Sequence, residues 1–187
     1  MTDQDVVDLL TAQHAKIREL LARLQASPDA KQDLFTDLVR LLAVHESAEE
    51  AVVHPVAGRA RFGADADIVQ PRLEEENAAK RALADLYDLG VDHPEFDARL
   101  TRFAAAVDEH ATHEETEEFP LLRAQFSSSQ LKRMAGSVRA AEAVAPTRPH
   151  PHAGESALAN LLAGPPLALF DRTRDAVRGW RQQQQDS

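Results

Sequence analysis

The sequence contains no cysteine, which excludes disulfide staples, zinc ribbons, iron–sulfur clusters and thiol catalysis. Any metal must be held by histidine and carboxylate. Glycine is scarce at 7 residues and aromatics make up 5%, which leaves little of the turn and strand-pairing material of a β-rich fold. No apolar run approaches the roughly 20 residues needed to span a bilayer. The opening MTDQDVVDLL lacks the basic flank, apolar run and small-residue cleavage site of an export signal, so a soluble cytoplasmic protein is expected. Positive charge is also in deficit. With Lys+Arg 21 against Asp+Glu 31 the formal charge is −10, which repels phosphate backbones and anionic lipid and argues for cations as partners, with no nucleic-acid or membrane role.

What is present is helix-forming. Ala, Leu, Glu, Asp and Arg dominate 187 residues, enough to bury one core without staples, and the expected class is all-α. A first helix runs from an N-cap at Asp3 through Val6, Leu10, Ile17, Leu21 and Leu24 and ends at Ser27-Pro28-Asp29. A second carries Leu34, Leu38, Leu42 and Val53 to Pro55, which is expected to end or kink it, with Gly58 and Gly63 in the loop beyond. A third starts near Asp65 or at Pro71 and continues through Leu73, Leu83 and Leu86; a fourth holds Leu100, Phe103, Val107 and Leu121, with Pro120 near its end. The expectation is an up-down four-helix bundle over residues 1–125, with a C-terminal helical extension over 126–187 that packs on it. In that extension Ser127 to Ser129 cap a fifth helix, a proline-rich linker carries His150 and His152, and a short amphipathic helix runs from Pro166 to about Gln183.

The anomaly is a set of ionisable residues on the apolar stripes. His14 lies between Leu10 and Ile17, His45 follows Leu41 by four with Glu49 a turn further, and Phe103, Val107, His110 and Glu114 step along one face. Glu76 lies three after Leu73 and three before Ala79. Inward carboxylates need a compensating charge, and a bound cation supplies it. His45, Glu49, Glu50 and Pro55 recur 65 residues later as His110, Glu114, Glu115 and Pro120. His14 and Glu76 correspond at an offset of 62, each followed seven residues later by leucine. The chain reads as two helical hairpins, each giving one ligand from its first helix and an H-x-x-x-E pair from its second, and therefore as a site for two metals.

The segments LLTAQHAKIRELL, LLAVHESAEEAVVHP, LEEENAAKRALADL and VDEHATHEETEEFPLL resemble the hemerythrin-like, or HHE cation-binding, family over roughly residues 5–124. That resemblance implies two non-haem iron ions, bridged by carboxylate and by oxo or hydroxo groups, with manganese or zinc as alternatives. It assigns His14 and His45 to one ion, His110 to the other, Glu49 and Glu114 as bridges, and no catalytic residue beyond the ligands. At Glu76 the family usually has histidine, and oxygen carriers have a second one where this chain has Lys80. Three carboxylates favour the oxidised state, which argues against reversible oxygen carriage and for chemistry on small oxygen species, most concretely catalase-like peroxide breakdown. The alternative is a sensor of oxygen, redox state or nitric oxide, or an iron-binding module without turnover. The ligand is diatomic or peroxide in size, and the chain is a monomer or homodimer.

Other readings stay open. Glu76 and Lys80 have the spacing of a surface ion pair, and Glu74 or Glu75 is the inward residue if Pro71 shifts the helical phase. His113 pairs in the repeat with Ala48 and is expected at the surface; His54 pairs with apolar Phe119 and is expected to be structural. Glu50 and Glu115 are expected to face away, toward cations such as Arg123 or toward solvent.

Overall fold

The computed structural model describes residues 4–59 and 69–144. They form α1 (Val6–Ala26), a 3-10 turn (Pro28–Ala30), α2 (Lys31–Ala48), α3 (His54–Arg59), α4 (Val69–Leu89), α5 (Phe96–His113), α6 (Phe119–Gln125) and α7 (Ser128–Val144), with no strand among the described residues. The fold is an all-α bundle. His150, His152 and the helix expected from Pro166 lie outside the described residues, as do Asp3, Gly63 and Asp65.

Local chemistry accounts for the ends. Asp5, rather than Asp3, caps α1: its side chain accepts from the Asp8 N–H while the Asp8 carboxylate accepts from the Asp5 N–H, a reciprocal pair that satisfies two orphan donors. Ser127 and Gln130 do the same at the start of α7, where Gln130 Oε1 accepts from the Ser127 N–H at 2.9 Å. Gly90 closes α4 with φ of 80°, a conformation that costs other residues a steric clash, and its N–H reaches the Leu86 carbonyl.

Pro55 and Pro120 do not end their helices. Each is preceded by a π-helical turn, Glu49–Val53 and Glu114–Glu118, after which the helix resumes as α3 or α6. The His54 N–H bonds to the Glu49 carbonyl and the Phe119 N–H to the Glu114 carbonyl, five residues back in both cases. A proline ring crowds the carbonyl four residues before it and brings no N–H, and widening the turn relieves both problems. Both π turns begin on a glutamate of the expected site.

The helices pair as α1 with α2 and α4 with α5, with α1 also against α5 and α7 laid across α1 and α2. The apolar core comes in two parts. One holds Ile17, Leu24, Leu38, Leu42, Leu83, Leu86, Leu100 and Phe103; the other holds Val6, Leu10, Val53, Phe119 and Leu122 with Leu131, Met134 and Val138 of α7. Between them lies a layer of histidines and glutamates. Truncating a fully buried leucine of the larger part tests which part carries the fold: Leu100→Ala should cost about 2–5 kcal/mol, read as a lowered denaturant midpoint at unchanged m-value.

Candidate metal centre

His14, His45, Glu49, Glu76, His110 and Glu114 are all buried, at 0 to 7% exposure, so every residue of the expected ligand set faces inward. His14, His45, Glu49 and Glu114 converge, each with a donor atom within 4.8 Å of the others. Glu76 converges with Glu114 and with His54, which the apolar counterpart Phe119 had marked as structural. His110 stands beside these two groups, its Nε2 3.5 Å from Glu114 Oε1.

The contacts have the character of a ligand shell. His14 Nε2 lies 3.2 Å from Glu114 Oε2 and His45 Nε2 lies 3.2 Å from Glu49 Oε2, yet His14 Nε2 and both oxygens of Glu49 and Glu114 have no hydrogen-bond partner. Two donors each about 2.1 Å from a common ion and at right angles to one another are about 3.0 Å apart. His110 Nε2 and Glu76 Oε2 are also buried and without a hydrogen bond. Such orphaned atoms cost roughly 1–3 kcal/mol each, more if charged, and an ion bound among them removes that cost. The residues fit a metal.

On the protein's own charges, burial, reinforced by the charges of Glu114 and Glu76, pushes the Glu49 carboxyl well above the usual carboxylate range. Burial also lowers the His45 imidazole well below its ordinary value, which keeps it neutral and able to coordinate. At Glu76 and His54 burial opposes charge but is outweighed: each charge favours the other, Glu118 adds to the effect on His54, and the pair is in hydrogen-bond contact.

The outer contacts extend the sequence repeat. Gln13 and Glu75, each one residue before a first-helix ligand, reach His45 Nδ1 at 2.7 Å and His110 Nδ1 at 3.0 Å. Arg18 bonds Glu115 at 2.8 Å, and Glu115 bonds His14 Nδ1 at 2.9 Å. In the other half Lys80 bonds Glu50, which neighbours Glu76. Lys80 is thus the counterpart of Arg18. No ion pair joins it to Glu76, so the alternative reading of those two residues as a surface pair is set aside. Glu50 is buried, which corrects its outward reading, whereas half-buried Glu115 does pair with a cation, Arg18 in place of Arg123, which reaches Asp8 at 2.6 Å. Glu75 is the half-buried outer partner and Glu74 is exposed, leaving Glu76 as the inward residue of its turn. His113 is half-buried with Nδ1 3.0 Å from Glu75 Oε1.

His54 and Phe119 also occupy corresponding places. Phe119 stacks on His14 with ring centroids 5.6 Å apart, and His54 meets Glu76, the counterpart of His14. Where the ligand changes from imidazole to carboxylate, its cover changes from an aromatic ring to a donor. Comparing His54 with Phe119 alone hid this, because the signal lies in the paired change. Glu118, fully buried with neither oxygen hydrogen-bonded, carried no such signal, since its counterpart is Val53.

The hemerythrin HHE cation-binding domain matches residues 5–122. A DNA nickase of Nostoc sp. is 31% identical over 143 residues, 75% of this chain and 40% of the relative, so the chain spans less than half the length of that protein. An uncharacterized hemerythrin-like protein of Schizosaccharomyces pombe is 24% identical over 139 residues, 74% of this chain and 68% of the relative. No solved structure matches. Among the described residues, no helix is long and apolar enough to cross a membrane.

If the orphaned donors hold metal, chelator-stripped protein should melt well below the loaded form. Saturation at about 100 times the dissociation constant stabilises by about 2.7 kcal/mol per site, roughly 10 °C in a domain of this size. His45→Ala combined with Glu49→Ala should abolish most of that difference, read by scanning calorimetry with and without added divalent metal.

Proposed function

Because the chain belongs to the hemerythrin HHE cation-binding domain family, we propose that its buried cluster holds two iron ions and acts on small oxygen species. One ion would be held by His14, His45, Glu49 and Glu114, and the other by Glu76, His54 and Glu114, with His110 beside Glu114, so that Glu114 would be common to both. The observation that carries this reading is the count of buried charge. Glu49, Glu76, Glu114 and Glu118 are each no more than 1% exposed and hold oxygens without hydrogen bonds, and two divalent ions would neutralise all four. Iron in such a mixed imidazole and carboxylate shell supplies redox chemistry toward dioxygen, peroxide or nitric oxide.

The chain's own residues set what reaches the centre. A narrow gap of about 10 Å³, lined by His14, Ile17, Leu42, His45, Glu46 and Val107 among others, leaves room for one water-sized molecule. A ligand of diatomic or peroxide size fits it. Burial, aided by the charges of Glu76, Glu50 and Glu114 and opposed by Lys80, pushes the Glu46 carboxyl well above the usual carboxylate range, so a proton donor lines the gap. Anionic ligands in this number favour the oxidised state and argue against reversible oxygen carriage. Catalase-like peroxide breakdown is the most concrete activity; sensing or iron binding without turnover uses the same site. A second reading, two-ion phosphodiester cleavage, takes its support from the nickase similarity and is opposed by the formal charge of −10.

Elemental analysis of freshly purified protein should find two irons per chain, and a metal-free or mononuclear protein would sink the reading. Anaerobically loaded protein given peroxide in an oxygen electrode should release oxygen; release no greater than from free iron leaves the sensing role. Supercoiled plasmid incubated with loaded protein should stay intact, and nicking lost in His45→Ala would favour phosphodiester cleavage.

A further inference from the structure

The two hairpins supply every ligand of the centre, and α7 lies beyond the second of them. It packs on α1, α2 and the π turn Glu49–Val53, with Leu131, Met134 and Val138 buried among Val6, Leu10, Val53 and Phe119. Those neighbours belong to one ion position. Glu49 opens the π turn that α7 covers, and Phe119 stacks on His14.

A polar chain joins α7 to a third residue of the same position. Gln13, on α1, has its Oε1 2.7 Å from His45 Nδ1, and its Nε2 donates to Glu142 Oε1 at 2.5 Å. The two ends of a carboxamide differ, since the oxygen accepts and the NH₂ donates, whereas a carboxylate accepts only. Glu142 therefore fixes which way the amide stands, and the amide oxygen is left to hold the His45 ring with Nε2 3.2 Å from Glu49. In the other half Gln13 corresponds to Glu75, 62 positions on, and Glu75 is tied to Arg72 three residues back on its own helix. One outer partner is thus anchored within α4, and the other is anchored to an element outside the repeat.

We propose that α7 is part of the first ion position: Glu142, acting through Gln13, is a positioning residue for His45, so that ion binding and the seating of the last turns of α7 favour one another. The inference rests on the ion position formed by His14, His45, Glu49 and Glu114 in the reading above. A ring already held needs no ordering when the ion arrives, and a coupling between two sites acts equally in both directions.

The test is calorimetric titration of the metal-stripped full chain with Co²⁺, with hydrogen exchange of the α7 amides measured in stripped and loaded protein. Glu142 is half-buried near the end of α7, where truncation to Ala spares the fold. Glu142→Ala should weaken one bound ion about 3–10-fold, the worth of one net hydrogen bond, and leave any other unchanged. Gln13→Leu, which removes the direct partner of His45, should weaken the same ion about 10–100-fold. The double variant should be no weaker than Gln13→Leu alone, because both changes break one chain. Glu142→Gln keeps an accepting oxygen and should bind as wild type does. Loading should slow exchange in the last turns of α7 in wild type but not in Glu142→Ala. Wild-type affinity in Glu142→Ala, additive losses in the double variant, or exchange in α7 indifferent to metal would overturn the coupling while leaving the ion position standing. A wild-type chain that binds no cobalt would overturn both.

Discussion

The structure depends on burying more carboxylate than its own cations neutralise. Glu46, Glu49, Glu50, Glu76, Glu114 and Glu118 all lie inside the bundle, and the cation Lys80 bonds Glu50, at the margin of the group. An isolated charge in such surroundings costs several kcal/mol; burial raises Glu46 and Glu49 well above the usual carboxylate range, and a bound divalent ion would offset the charge that remains. The split core follows from the same constraint. Apolar side chains close the layer from both sides, and α7 completes the smaller part over α1 and α2, which keeps water from relaxing the charges.

The duplicated architecture shows how little must change to make two unlike positions from one plan. Proline at 55 and 120 widens the preceding turn in both halves, and each π turn starts on a glutamate of the centre, so the backbone is symmetric where the carboxylates enter. Asymmetry lies in the side chains. His14 becomes Glu76, Phe119 becomes His54, Val53 becomes Glu118, and the outer pair Arg18 and Glu115 becomes Lys80 and Glu50. Each exchange suits its neighbour: a ring stacks on an imidazole in one half, and a nitrogen donor meets a carboxylate in the other.

Much of the fold was legible because helical periodicity is local. The stripes of α1, α2, α4 and α5 and the inward phase of His14, His45, His110 and Glu114 follow from spacing along single helices. The prolines misled, since a sequence shows the missing N–H but not whether the chain ends the helix or widens one turn and continues. Charged residues one position off the inward face misled in a similar way. Glu50 follows Glu49 directly and reads as outward, but the π turn rotates the helix and carries it into the core beside Lys80.

The sequence by itself determined the helices, the repeat and the inward set His14, His45, Glu49, Glu76, His110 and Glu114, because those depend on intervals of three, four, 62 and 65 along one chain. Only the tertiary structure decided how they meet: that Glu76 faces His54, that Glu118 stands behind that ring, and that the histidines each have their own outer partner. Those pairings cross between helices, and the register between two helices is set by packing and by the two widened turns, neither of which leaves a periodic trace in sequence.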